Sequence, residues 1–418
     1  MSFKSFVREN PIYKRYILPM RKSINAYIES KLDDEAYFIR RHKKIFGYTP
    51  DFKNPQTFNE KIVHRILYDR NPLYTALADK LKARIYIAAK LANLDLESET
   101  ECMSKANQSK ELKEKFQALA DSPTFLDPKS SSPLFAPIDT LTQLLFDTNV
   151  CPFLPKLYGI YKSVEDINFD ELPNSFVLKT NHDGGGVVIV PNKEAFLRDS
   201  KAFREAMEKL TKHLNTNFYT LFREWHYKNI EPKVFAEELL GESVQIPQTQ
   251  DLDSQKIENG NFHTSLQNFK VPDDYKINQY GEQILFIEVD SERFSDQHTR
   301  AMFDKDFNKL PFQFSAKNLA ISKHSRIPKN STTLLQISKI LAEPLRYVRI
   351  DLYSLTNRIV VGELTFTPAG GTSKFYPTQY DKFFGNLWIT NPFPKISSYL
   401  YGRMGKQPPP GVIVSSPM

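Results

Sequence analysis

Cysteine is nearly absent: Cys102 and Cys151 are the only two in 418 residues. Two thiols build neither a disulfide framework nor a cysteine zinc site. No charged start, apolar core and small-residue cleavage site opens the chain, so a reducing, cytoplasmic setting is the expectation. Long apolar runs are missing too. Charges interrupt every hydrophobic stretch before the ~18 to 20 residues of a membrane-spanning helix, so the chain is expected to be soluble or peripheral. Zinc-finger spacing, RNP-type runs and basic heptads are all lacking, and despite a net charge of +7 nucleic acid is not an expected partner.

The basic excess is uneven. Residues 1–44 hold eleven Lys and Arg against five acids, including "YKRYILPMRK" and "RRHKK". Solvated helix faces, contact with a membrane surface (at the inner face of the membrane, for a cytoplasmic protein) and an acidic polymer all fit this pattern. Residues 12–92 have apolar positions at three- and four-residue spacing and are expected to be helical, with a break at Asn71-Pro72. Residues 95–148 turn polar and then rich in Ser and Pro, which predicts an insertion made of one helix and one loose loop.

From Val150 onward strand signals dominate, in "FLPKLYGIYKSV", "FVLKT", "VVIV", "VFAEELL", "QILFIEV", "RYVRIDLYSL" and "RIVVGELTFT". Helical segments fall between them at "NKEAFLRDSKAFREAMEKLTKHL" and "STTLLQISKILAEPL". A mixed α/β or α+β core behind a helical N-terminal region follows. The expected divisions are a helical region 1–94, an insertion 95–148, two core units 149–236 and 237–400, and a poorly ordered tail 401–418.

Only 15 glycines occur in the chain, and three stand together in "FVLKTNHDGGGVVIV". A Walker-type loop would lead into a helix; Gly184, Gly185 and Gly186 lead into a strand. Their amides can face an anion, or they can simply turn a hairpin. By strand alternation Lys179 shares a face with Val177, opposite Phe176 and Leu178. It could meet a phosphate there, or snorkel to solvent.

The stretch "RYVRIDLYSLTNRIVVGELTFTPAGG" carries more. Arg349, Asp351 and Tyr353 alternate with Val348, Ile350 and Leu352; Val361, Glu363, Thr365 and Thr367 alternate with Gly362, Leu364 and Phe366. A hairpin symmetric about Asn357 sets Asp351 opposite Glu363 and Arg349 opposite Thr365. Facing carboxylates require compensation by Arg349, by a raised pKa on one acid, or by a divalent cation such as Mg²⁺, unless the acids lie in water. Removing either charge is then expected to leave stability steady or slightly higher.

In this order the motifs "NPQTFNEKI", "LADKLKARIYI", "LPNSFVLKTNHDGGGVVIV", "EWHYKNIEPKVFAEELL", "PDDYKI", "VRIDLYSL" and "GELTFTPAGG" resemble the ATP-grasp superfamily, in its TupA-like (teichuronopeptide biosynthesis) branch, from about Phe46 to Leu387. The resemblance implies an α+β fold in which two α+β subdomains clamp ATP. It implies Lys179 on the phosphates, Gly184, Gly185 and Gly186 folded over them, and Glu237, Glu238 and Leu240 around the adenine. Asp274 would lie near the ribose, Lys276 near the phosphates, and Arg349 beside substrate or intermediate. Asp351 and Glu363 match the metal-binding acids; Thr365 stands where many relatives carry Asn. The implied reaction joins a carboxylate to an amine through an acyl phosphate, with ATP and Mg²⁺. A uronic-acid carboxylate of a cell-surface or capsule glycan and a small amine or amino acid are the implied partners. Arg293 and Arg300 are the best further candidates for substrate contact, with surface arginines the alternative; His182 reads as a loop hydrogen-bonder, and Glu224 and Trp225 as fixing a helix-to-strand transition. A mobile lid or a reshaped pocket is expected from residues 241–269. A kinase acting on a sugar hydroxyl and a non-catalytic glycan-binding assembly protein are the competing readings.

Overall fold

The computed structural model describes residues 10, 13–94, 103–243, 269–291, 298–314, 327–355 and 358–388. Arg293, the turn at Asn357, most of the segment 241–269 and the tail 401–418 lie outside the described residues.

Helices end where the sequence supplies caps. Thr57 and Glu60 form a reciprocal capping box that starts helix Phe58–Tyr68. Asn71 accepts the Leu73 amide at 3.0 Å and Pro72 opens helix Pro72–Ala78. A second break, not anticipated, falls at Asp79, whose carboxylate accepts the Leu81 amide at 3.0 Å and starts helix Lys80–Lys90. The apolar pattern runs through Asp79 because both helices bury most of their residues in the largest core.

The strands are β1 (Leu157–Tyr161), β2 (Phe176–Thr180), β3 (Val187–Val190), β4 (Val234–Glu237), the short β5 (Glu242–Ser243) and β6 (Phe269–Lys270), then β7 (Asp274–Tyr280), β8 (Gln283–Ser291), β9 (Thr299–Phe303), β10 (Tyr347–Ser354) and β11 (Ile359–Thr365). They form two antiparallel sheets, ordered β1-β4-β2-β3 and β11-β10-β7-β8-β9, plus the pair β5-β6. β7 was read only as a motif, although it is the central strand of the larger sheet. Its "DYKINQY" lacks the aliphatic run that marked its neighbours.

Each sheet buries one face fully. Phe176, Leu178, Val188, Val190, Val234 and Ala236 pack under Ala206 and Leu210 of helix Ser200–Leu214. Tyr275, Ile277, Ile287, Val348, Ile350 and Leu352 meet helices Lys80–Lys90 and Ser331–Ala342 in the largest core. The other face of the larger sheet is divided along its strands: Tyr347, Phe286 and Met302 lie in an aromatic cluster with Phe58, Phe375 and Phe384, while Arg349, Asp351, Glu288 and Asp290 occupy the far end and line a cleft. Covering only half of a sheet face is what leaves room for a ligand over the rest.

Two expectations are corrected here. The Ser/Pro-rich stretch is no loose loop: beyond helix Met103–Asp121, Leu134, Ile138, Leu141 and Leu145 are buried in the largest core, their spacing masked by the polar residues between them. Val361, placed by strict alternation on the polar face, is buried in that core as well. The register runs Asp351↔Glu363 and then Leu352↔Val361, so Gly362 is an extra, bulged residue that turns Val361 inward.

Candidate active site

The two sheets bound a cleft of about 1200 Å³, room for a nucleotide and a second reactant. Its first wall is the face of β2 and β4 turned away from helix Ser200–Leu214. Val177 and Lys179 line it, as alternation predicts. Lys179 Nζ donates to Glu237 on the neighbouring strand, and Arg84 reaches the other Glu237 oxygen at 3.6 Å from its helix. Glu238, Leu239 and Leu240 continue the wall. The Glu238 amide is spent on Lys156 O at 2.8 Å, and its carboxylate is bonded to Arg358 of the opposite sheet.

The glycine loop closes one end, with Gly184 and Gly185 on the cleft. Residues distant in sequence hold it. Lys80 Nζ donates to Asp183 O, His213 meets one Asp183 oxygen and the Thr180 hydroxyl donates to the other. Asn181 binds Asp79 at 2.9 Å; burial raises the Asp79 carboxyl to about 6. Gly185 has φ +108°, open to glycine at little cost. At Gly186 a Cβ would stand 1.9 Å from Thr180 Oγ1. His182 is buried and contacts Thr216 O at 3.3 Å, in keeping with a loop hydrogen-bonder.

The second wall is ionic. Asp351 does stand opposite Glu363, and Arg349 opposite Thr365. Arg349 grips Asp351 with two bonds, Nε to Oδ1 at 2.7 Å and Nη2 to Oδ2 at 2.8 Å, and also donates to Thr365 Oγ1 at 3.1 Å. Lys276 Nζ, from β7, lies 3.1 Å from Asp351 Oδ2 and donates to Asp274. Burial alone would raise the Asp351 carboxyl, but Arg349 and Lys276 outweigh it and hold it below the usual carboxylate range. In the protein alone, Arg349 and Lys276 thus compensate the Asp351 charge. Asp274, expected beside the ribose, sits behind Lys276 and off the cleft wall.

Some residues here escaped sequence reasoning. Glu288 and Asp290 on β8 line the cleft and share Arg300, whose Nε lies 2.8 Å from Glu288 and 2.7 Å from Asp290. Their i, i+2 spacing in "FIEVDS" was the available signal. Buried Glu224, assigned above to a chain transition, instead accepts from Thr367 just beyond β11. Burial pushes its carboxyl up to about 7.

The half-buried Glu363 carboxylate makes no hydrogen bond or ion pair among the described residues, and no group of three or more His, Cys, Asp or Glu is poised to hold a metal there. Two facing carboxylates fit a hard cation that takes its remaining ligands from phosphate oxygens and water, as Mg²⁺ does.

A family model described as TupA-like ATPgrasp matches residues 153–253 and 257–389, more than half of the chain. The chain belongs to the TupA-like ATP-grasp family. The two sheets around the cleft are thus those of the ATP-grasp fold. No curated protein matches the chain. Among solved structures, it is similar to a D-alanine–D-alanine ligase from Bacillus anthracis complexed with ATP, with 14% identity, 55% of this chain, 61% of that chain and a TM-score of 0.25. The ATP-grasp ligase PsnB, complexed with a minimal precursor, Mg and ADP, gives 12%, 55%, 50% and 0.26. The macrocyclase MdnC bound with precursor peptide MdnA, from Microcystis aeruginosa, gives 13%, 71%, 75% and 0.26. The chain thus spans less than two thirds of the first two.

Proposed function

We propose that this ATP-grasp protein is an ATP-dependent carboxylate–amine ligase, forming ADP and an amide through an acyl phosphate, with a uronic-acid carboxylate of a cell-surface glycan as acceptor. The observation that carries the reading is one cleft with Lys179 and the glycine loop on one wall and Lys276, Arg349, Asp351 and Glu363 on the other.

Phosphoryl transfer calls for positioning and charge neutralisation more than for covalent help. Lys179, ion-paired with Glu237, faces the phosphates; Gly184, Gly185 and Gly186 offer backbone amides over them and exclude water. Glu237, Glu238 and Leu240 border the adenine. Asp351 and Glu363 would hold Mg²⁺, with the Thr365 hydroxyl a weaker donor, and a metal there polarises phosphate oxygens. Lys276 and Arg349 offset the charge that develops as the acceptor carboxylate attacks. Arg300, with Glu288 and Asp290, borders the space left for the acceptor and the amine.

The test incubates the full chain with ATP, Mg²⁺ and a panel of uronic acids and amines, reading ADP release and product mass. Added hydroxylamine should trap a hydroxamate. A glycan heavier by one phosphoryl group and stable to hydroxylamine would make the protein a kinase. Nucleotide binding without turnover across the panel would make it a binding protein.

A further inference from the structure

Residues 13–31 form one continuous helix, a wide turn Tyr13–Ile17 running into an α-helix Leu18–Lys31. Its orientation is inverted. Tyr16, Ile17, Met20, Ile24, Tyr27 and Ile28 are all exposed, with Met20 at 58% and Tyr27 at 66%. At ~100° per residue the six fall within an arc of about 120°. The polar side is what holds the helix to the body. Asn25 accepts from Arg40 at 3.1 Å, and the Glu29 and Leu32 carbonyls accept from Arg223 at 2.7 and 2.8 Å. Arg223 ends helix Phe218–Phe222, whose Leu221 and Phe222 are exposed too.

An amphipathic helix on a water-soluble body buries its apolar stripe; one that presents it outward, ~28 Å long, marks a surface to be covered. The charge identifies the cover. Residues 13–31 contain Lys14, Arg15, Arg21, Lys22 and Lys31 against Glu29 alone, and Glu29 already faces Arg40 at 3.9 Å. Two copies pairing along the stripe would bring basic flanks together with no acid left to answer them. An anionic lipid surface answers them directly, and tyrosine suits its headgroup layer, with an apolar ring and a wet hydroxyl.

We propose that helix Tyr13–Lys31 lays its apolar stripe into the headgroup region of an anionic bilayer and holds the ATP-grasp body at the membrane surface. The contact is in-plane: no helix among the described residues is long and apolar enough to cross a membrane. It uses no residue of the cleft, and so is independent of the ligase reading.

The experiment is flotation of the full chain with vesicles of phosphatidylcholine alone and of phosphatidylcholine mixed with phosphatidylglycerol. Binding is expected on the mixed vesicles only, weakened by salt. A Met20→Glu/Ile24→Glu variant should lose at least ~10-fold in binding with an unchanged melting temperature, since both side chains are exposed. Arg21→Glu should weaken binding to the mixed vesicles. No binding to them, or undiminished binding by the Met20→Glu/Ile24→Glu variant, would overturn the proposal. A dimer in solution that this variant dissolves would overturn it too, assigning the stripe to a second copy.

Discussion

The two hairpins that face the cleft are stabilised in opposite ways. The ion cluster of the carboxylate hairpin, β10–β11, is largely local: Arg349 bonds both Asp351 and Thr365 within 17 residues of sequence, and Lys276 joins Asp351 from β7. The glycine hairpin, β2–β3, has its own Thr180–Asp183 bond and a Thr180 N–Gly186 O bond of 2.9 Å, but leans on the rest of the chain. Its loop is fixed by Asp79, Lys80, His213 and Lys233, drawn from three distant parts of the chain. A charged site can thus be read locally, whereas a backbone site depends on what happens to surround it.

The largest effect should come from splitting the facing acids. Asp351→Asn and Glu363→Gln are each expected to lower ADP formation by several orders of magnitude, at about 1.4 kcal/mol of lost transition-state stabilisation per tenfold. Their stabilities should diverge. Asp351 neutralises buried Lys276 and part-buried Arg349, so its loss should cost about 3 kcal/mol, against the expectation that removing like charge is harmless. Glu363 has no hydrogen-bond or ion-pair partner among the described residues, and thermal unfolding of Glu363→Gln should stay within about 0.5 kcal/mol of the natural chain. Equal destabilisation of both would mean that Glu363 belongs to the ion network.

The glycine hairpin can be broken by position. Gly186→Ala drives a methyl into Thr180 and Asp183 and should cost on the order of 1–3 kcal/mol by denaturant unfolding. Gly184→Ala meets nothing nearer than 3.9 Å and should be nearly neutral in stability. Equal effects would remove the packing account of the loop.

A smaller effect tests the link between the two sides. Glu224 precedes β4 and binds Thr367 beyond β11. Its carboxyl is raised to about 7 by burial, so the folded state holds the proton more tightly than the unfolded chain. The resulting stability is present below the unfolded value near 4.5 and lost as pH rises through about 7. Glu224→Gln should therefore gain about 2–3 kcal/mol over the natural chain between pH 5 and 8. A pH-independent difference would show that burial does not perturb this carboxyl.

Much of the fold was legible. β2 and β3 have the bounds their apolar runs suggest, and the order of strands and helices follows the alternation of patterns. β7 was not, because the residues it spends on the cleft are the ones that hide a strand. The pairing of Asp351 with Glu363 was legible through a balance: Leu352, Tyr353 and Ser354 pair one residue short of the register that symmetry about Asn357 would give, and the bulge at Gly362 restores it. Lys80 and Arg84 could not be assigned from local pattern, since each looks like an ordinary helix charge until the chain brings it to Asp183 or to Glu237.

The central claim is that both walls hold one nucleotide, the first through Lys179 and the second through a metal at Asp351 and Glu363. Calorimetric titration of a non-hydrolysable ATP analogue, with and without Mg²⁺, tests it most directly on the natural chain, Lys179→Ala and Glu363→Gln. Lys179→Ala should weaken binding at least ~10-fold under both conditions, from loss of a charge-assisted contact, while Glu363→Gln should weaken it only with Mg²⁺ and so abolish the gain the metal brings. Folded variants that both bind the analogue as tightly as the natural chain, with the Mg²⁺ dependence intact, would contradict the account.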